Sequence, residues 1–144
     1  MVKNYSDSEI LSRVRELPSF KRIPTGRWIV GVRSIADNPG KFDDKFYEFE
    51  GEKFIRVLTG TTHPGLTILK HFEKYNKLGA AVVKSNEWYY DLWKYGMHKN
   101  KMPALLQLGN EVMVYRDGDR DNKAEEIGKV YKGWYGINLH TNTY

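Results

Sequence analysis

The sequence predicts a mainly β fold, of the β-rich α+β class, in which short strands form a twisted sheet, a sandwich or a barrel. Short runs rich in β-branched and aromatic side chains alternate with turns rich in Gly, Pro and Asn. Only two segments place apolar residues at helical spacing. The 144 residues suit one compact domain over residues 1–144, without a linker or an internal repeat.

The first predicted element is a helix within residues 1–18. Ser6 and Glu9 have the spacing of a capping box, and apolar residues follow at helical spacing from Ile10 until Pro18 ends the pattern. The remainder, residues 27–144, is the β-rich portion.

The strands follow in order after a turn at residues 24–26. We predict a buried strand over 28–33, a hairpin of 46–49 and 54–58 around a turn at 50–53, and further strands over 80–83, 104–108, 111–115 and 135–140. The apolar residues within 66–78 recur at neither helical nor strand spacing, and we interpret this segment as a loop with a helical turn.

A second short helix is predicted over residues 86–96, because aromatic side chains recur there at helical spacing before Gly96. This spacing pairs Trp88 with Leu92 and Tyr89 with Trp93, and it leaves Tyr90 exposed. Such a cluster is more typical of a core than of a platform that stacks on sugar rings or bases.

The composition excludes several classes of function. The chain has no cysteine, which removes disulfides, thiolate metal sites and thiol catalysis from what it can do alone. It has no apolar stretch of signal-peptide or membrane-spanning length, so we expect a soluble protein made in the cytoplasm, with no membrane partner. The net charge of +5 favours anionic partners, although the scattered Lys and Arg residues are typical of a solvated surface.

No cofactor or metal is expected. Asp117, Asp119 and Asp121 alternate as calcium ligands do in a tight loop, but Asn122 and Gly128 stand where a calcium loop requires Gly and a bidentate carboxylate. A polar hairpin turn is the better interpretation. His63 and His71 fit no metal-ligand spacing and are predicted at the surface.

Two parts of the chain carry a resemblance to a known family. The hairpin from Tyr47 to Leu58 leads into Thr59-Gly60-Thr61-Thr62-His63-Pro64-Gly65, and the chain closes with Gly136-Ile137-Asn138-Leu139-His140-Thr141-Asn142. In this order the segments resemble L,D-transpeptidase-like (YkuD) cell-wall domains. The stretch from Trp88 to His140 is similar to a phage and Bacteroidetes branch of these proteins.

The resemblance implies roles for particular residues. In the family, the histidine matched by His140 is a general base toward a cysteine in a downstream S-x-G-C motif. The same resemblance assigns substrate binding to five residues: His98, Tyr90, Tyr135, Asn138 and Arg116. From the residues alone, His140 is predicted to be a partly buried ring that hydrogen-bonds to a backbone carbonyl. His98 is predicted to be a cation at the end of a helix.

This chain ends four residues after His140 and supplies no thiol, so we do not expect it to catalyse transpeptidation alone. Three explanations stay open: a second polypeptide carries the S-x-G-C segment, the domain is a degenerate relative that still binds its substrate, or the resemblance is accidental.

The leading expectation is a peptidoglycan-associated domain that acts on or binds stem peptides, carried in a phage virion or released to the wall during lysis. The alternative is a virion structural or interaction protein with a basic surface and other virion proteins as partners. Nucleic acid is an unlikely partner, because no zinc finger, RNP-like strand or Gly-rich clamp is present.

Overall fold

The structure is a computed structural model that describes residues 5–34, 44–62, 69–71, 73, 76–98, 102–118, 124–135 and 137. One helix and eight strands lie in these ranges: α1 Asp7–Arg15, β1 Arg27–Val32, β2 Asp44–Glu50, β3 Lys53–Gly60, β4 Ala80–Val83, β5 Trp93–His98, β6 Met102–Gln107, β7 Val112–Asp117 and β8 Val130–Gly133. The prediction of a mainly β fold is confirmed. No helix in the described ranges is long and apolar enough to cross a membrane.

Helix α1 forms where the capping box predicts it. The Ser6 hydroxyl accepts from the Glu9 backbone N–H at 3.2 Å, and the Glu9 carboxylate accepts from the Ser6 N–H at 3.3 Å. Acidic residues occupy the first turn and arginines the last, which suits the helix dipole. The helix buries Ile10 and Val14 and ends at Arg15, three residues before Pro18.

The first sheet has the order β1-β2-β3, with both pairings antiparallel. The central strand β2 buries Phe46 on one face and Tyr47 and Phe49 on the other, where Ile10 and Val14 of α1 pack. Gly51 has a positive φ of 56° in the tight turn between β2 and β3, a conformation that favours glycine. The predicted hairpin is therefore confirmed, whereas the first predicted strand is a half-buried edge rather than a buried strand.

The remaining strands form two further sheets. One has the order β4-β7-β8, and the other is the antiparallel pair β5-β6. One face of the β4-β7-β8 sheet packs Ala80 and Val82 against Leu69 and Ala124, and the other packs Val112 and Val114 against Leu92. These pairings confirm the predicted strands at residues 80–83, 104–108 and 111–115.

The predicted second helix is wrong. Residues 88–92 are turn and irregular backbone, and residues 93–98 form β5, which pairs in register with β6. Asn86 and Asp91 have positive φ values of 58° and 54°, which a right-handed helix does not contain. Aromatic side chains suit a pleated surface as well as a helix, so pairing with β6 overrides the helical spacing.

The predicted last strand is also displaced. The strand near the carboxyl end is β8, Val130–Gly133, which pairs with β7. Tyr135 and Ile137 lie outside strands, and their backbone N–H groups donate to the Gln107 side chain at 3.2 and 2.9 Å. A side-chain amide thus takes the place of a neighbouring strand there. Residues 136 and 138–140 of the prediction lie outside the described residues.

Candidate functional site

A cleft of about 1700 Å³ runs along β1. One wall is β1 and its extension, since every residue from 27 to 34 lines the cleft. The other wall is the segment of residues 83–93, which runs from the last residue of β4 to the first of β5, and Leu105 of β6 also lines the cleft. The cleft lies along the edge of the first sheet because, among the strands that the structure describes, β1 bonds only to β2.

The two walls are joined at one end by an ion pair. The Arg33 guanidinium donates to Glu126 at 2.8 Å, and the Glu126 carboxylate accepts from the backbone N–H and the hydroxyl of Ser85, both at 2.7 Å. Arg33 is itself held by Thr62, whose hydroxyl and carbonyl accept from it at 2.9 and 3.0 Å. We call this group the Arg33 junction.

The walls are joined at the other end by stacked aromatic rings, which we call the Trp88 junction. Trp28 stacks between Phe49 and Trp88, with ring centroids 4.9 and 5.0 Å away, and Tyr90 stacks on Trp88 at 5.3 Å. Trp88 also donates from its indole N–H to the Val14 carbonyl at 2.7 Å. These rings cover one another, so they are structural rather than a free platform for a sugar or a base.

The face of the first sheet opposite the Trp28 ring presents a charged row that also lines the cleft. Glu48 accepts from Arg27 at 3.1 Å and from Arg56 at 2.8 Å. The Glu48 side chain is 13% exposed, whereas the two arginine side chains are 57% and 61% exposed and reach solvent. Hydrogen bonding to Glu50 and the neighbouring carboxylates raise the pKa of Arg27, which stays cationic.

The lining of the cleft is balanced in charge. Six of its residues are Arg or Lys and six are Asp or Glu, although the whole chain carries a net charge of +5. Arg13, Arg22, Arg27, Arg33, Arg56 and Lys84 oppose Glu9, Glu16, Glu48, Glu87, Asp91 and Glu126. Ion pairs within the lining, such as those of Arg33 with Glu126 and of Lys84 with Glu87, balance most of these charges against one another.

Two groups of the 83–93 wall have shifted pKa values. Burial raises the pKa of Tyr89, whose hydroxyl donates to the Lys84 carbonyl at 2.6 Å and stays protonated. Partial burial raises the pKa of Glu87, but hydrogen bonds from Lys84 and Ser19 outweigh it, and the net shift is downward. Glu87 is therefore ionised at neutral pH, and its pair with Lys84 at 2.6 Å fixes this wall.

One of the predicted substrate-binding residues lines the cleft. Tyr90 is half-buried rather than exposed, and its hydroxyl accepts from the backbone N–H groups of Lys21 and Arg22 at 2.8 and 3.1 Å. The Arg22 guanidinium lies over its ring, 5.0 Å from the centroid. Tyr90 thereby holds the 21–22 backbone against the cleft.

Two other predicted residues meet away from the cleft. The Arg116 guanidinium lies 4.8 Å from the centroid of the Tyr135 ring and donates to the Gly79 carbonyl at 3.3 Å. His98 lies at the end of β5, opposite Met102. Asn138 and His140 lie outside the described residues, so the five predicted substrate-binding residues and the predicted base stay predictions.

The weak calcium alternative finds no support in the described part of the loop. Asp117 is buried, and its carboxylate accepts from the Glu125 N–H at 2.9 Å. Asp119 and Asp121 lie outside the described residues, and no group of three metal-ligating side chains occurs within them. Of the other histidines considered, His71 is exposed as predicted, and His63 is not described.

Sequence reasoning missed the residues that build the cleft. Arg33 and Glu126 are 93 positions apart, and Trp88 and Val14 are 74 apart. No local pattern links such positions. The alternation of Arg27, Ile29 and Gly31 with Trp28, Val30 and Val32 was the one available signal that β1 has a solvent-facing side.

Comparison of the chain with protein-family models, with curated proteins and with solved structures finds no match. The resemblance to L,D-transpeptidase-like domains therefore depends on the motifs named above.

Proposed function

We propose that this chain is a non-catalytic peptide-binding module, and that the stem peptide of peptidoglycan is its ligand in the β1 cleft. The proposal is restricted to binding, because the chain has no cysteine to act as the nucleophile of the family that it resembles.

The balanced charge of the cleft lining is the observation that supports this ligand best. A stem peptide carries carboxylates and, at its dibasic residue, an amine, so it needs partners of both signs. Arg56 and Arg27 offer guanidinium groups for carboxylates, which they bind in a bidentate manner, and Glu48 lies between them. The apolar side chains of Ile29 and Leu105 line the same cleft and suit the alanine methyl groups.

The same observation argues against nucleic acid in the cleft. Proteins that bind a phosphate backbone present an excess of Lys and Arg along the binding surface. Here the lining has as many acidic as basic residues, and its aromatic rings are occupied by one another.

The proposal is tested with the synthetic tetrapeptide L-Ala-γ-D-Glu-L-Lys-D-Ala in calorimetry and with purified sacculi in a pelleting assay. We expect Arg56→Gln to weaken tetrapeptide binding about tenfold, because a charge-assisted hydrogen bond contributes about 1.5–3 kcal/mol. The side chain is exposed, so the thermal midpoint should not change.

Arg15→Gln is the matched control. Arg15, the last residue of α1, also forms an exposed ion pair, with Glu52 of the β2–β3 turn, but it does not line the cleft, so its replacement should leave binding within about twofold of the parent chain. Absence of binding to both tetrapeptide and sacculi would defeat the proposal and leave the interaction-protein alternative. Equal losses in the two variants would place the ligand elsewhere.

A further inference from the structure

The free edge of β1 has a defined set of backbone groups. In an antiparallel pair, the residues of a strand alternate between bonding to the partner and pointing away from it. Gly26 O accepts from Gly51 N–H at 3.1 Å at one end of β1, and Ser34 N–H donates to Asp44 of β2 at 2.7 Å at the other. The backbone N–H and C=O groups of the even-numbered residues therefore point toward β2. Those of the odd-numbered residues point away from β2, into the cleft.

Arg27, Ile29 and Gly31 are the odd-numbered residues of β1. Among the residues that the structure describes, none bonds to their backbone N–H or C=O groups, since β1 pairs only with β2. Such a row of donors and acceptors is a template for an added strand. It also lies inside a cleft rather than on an open rim.

Gly31 gives a second, independent indication. Glycine weakens a strand interior, and it often marks a place where another backbone approaches closely. Gly31 is exposed, and an added Cβ would lie on the face of the sheet, 3.3 Å from Phe46 Cε1 of β2 and 3.5 Å from Thr62 Cγ2. The glycine therefore leaves one face of β1 without a side chain near the middle of the strand.

The two junctions limit the length of what can lie along the edge. The Trp88 junction contacts β1 at Trp28, and the Arg33 junction begins at Arg33, one residue after the end of β1. Four residues lie between these two positions, which are five steps of about 3.3 Å, or roughly 17 Å, apart. The space between the junctions therefore accepts a segment of about three or four residues, the length of a stem peptide.

We propose that the ligand binds by strand addition: an extended stem tetrapeptide presents its own N–H and C=O groups to Ile29 and Gly31, while Arg27 of the same strand binds a carboxylate. This inference rests on the proposed function, because it requires a peptide ligand. It adds the recognition mode, in which the main chain gives affinity and the charged row gives specificity. It also explains why the cleft requires a short ligand.

Hydrogen exchange of single amides tests the inference with the same tetrapeptide. In the free chain, the amides of Trp28, Val30 and Val32 should exchange slowly, because they bond to β2, and those of Ile29 and Gly31 should exchange fast. At a saturating tetrapeptide concentration, we expect exchange at Ile29 and Gly31 to slow at least tenfold. The three even-numbered amides are the internal control and should change much less.

N-methylated tetrapeptides separate strand addition from simple burial. Methylation of the peptide nitrogen that faces β1 removes a donor and should weaken binding at least tenfold, whereas methylation of a nitrogen that faces away should be tolerated. If the tetrapeptide binds but Ile29 and Gly31 stay unprotected, or if every methylation is tolerated, strand addition is wrong and peptide binding stands. If the tetrapeptide does not bind, both proposals fail together.

Discussion

At the scale of single residues, Asp44 is the most constrained side chain of the first sheet. It is fully buried and accepts three hydrogen bonds, from Ser34 N–H at 2.7 Å, from Thr62 N–H at 2.8 Å and from the Thr62 hydroxyl at 2.6 Å. A buried carboxylate is stable only when its oxygens are satisfied in this way. Asp44 thereby holds Thr62 in place to bind Arg33, and so supports the Arg33 junction.

Asp44→Asn should destabilise the fold by about 2 kcal/mol, because the amide NH₂ would face backbone N–H donors and leave them unsatisfied. Urea unfolding measures the change. The control is Asp91→Asn, at an exposed position with a positive φ that Asn also adopts, which should stay within about 0.5 kcal/mol. Equal effects at the two positions would show that the buried bonds of Asp44 do not stabilise the sheet.

At this scale, the hydrogen bonds of a side chain could be predicted only where its bonding partners are close in sequence. Ser6 and Glu9 are three residues apart, and their reciprocal bonds follow from spacing alone. Gln107 binds Gly133 and Ile137, which are 26 and 30 positions away, and nothing in its neighbours predicts that role. The same holds for Arg33 and Asp44.

At the scale of elements, the contact between the β6–β7 turn and the 83–93 wall depends on a glycine. Gly109 N–H donates to the Leu92 carbonyl at 2.9 Å, and a Cβ at Gly109 would overlap the Asp91 carbonyl oxygen. No side chain fits there without movement of the backbone. The turn therefore fixes the end of the wall that leads into β5.

Gly109→Ala should destabilise the protein by about 2 kcal/mol or more, since the overlap is with backbone rather than with a flexible side chain. Gly26→Ala is the matched control, because a Cβ there meets nothing within 4 Å and should be neutral or slightly stabilising. Thermal unfolding compares the stabilities of the two variants. Equal midpoints for Gly109→Ala and Gly26→Ala would show that Gly109 is not required for the close contact with Asp91.

Elements with a clear local signal were predicted, and those set by tertiary pairing were not. The α1 cap and the β2–β3 hairpin each carry their own start, stop and period. Residues 86–96 satisfy a helical period, but their backbone is fixed by bonds to residues far along the chain, from Trp88 to Ser19 and from Trp93 to Ile137. Such bonds are invisible in a window of eleven residues.

At the scale of the whole molecule, Trp88 connects three parts of the chain. It hydrogen-bonds to the last turn of α1 at Val14, stacks on Trp28 of β1 and carries Tyr90 on its other side. It therefore couples the helix, the first sheet and the far wall of the cleft.

Trp88→Ala should lower the free energy of unfolding by about 3 kcal/mol, the lower end of the range for core tryptophans, because the ring is half-buried. Trp134→Ala removes a ring that is 55% exposed and should change stability by less than about 0.5 kcal/mol. Chemical denaturation with fluorescence detection compares them. Similar losses in both variants would show that the stack does not connect the walls.

The class of the whole fold was predictable because β-rich runs and turns dominate the composition, while the arrangement of three separate sheets was not. The net charge was known from the sequence, but the balanced charge of the cleft arises only when residues from α1, from β1, β2 and β3 and from the loops come together.

The 83–93 wall has a consequence for how the molecule behaves among its own copies. An uncovered edge strand ordinarily recruits the edge of another sheet and seeds association. Here Trp88 stacks on Trp28, and Ser85 is linked to Arg33 through Glu126. Only a few residues of the β1 edge lie open between these two contacts. A partner strand longer than this opening would meet Trp88 or Ser85 at its ends, so the two junctions disfavour pairing of β1 with a long edge strand of another copy.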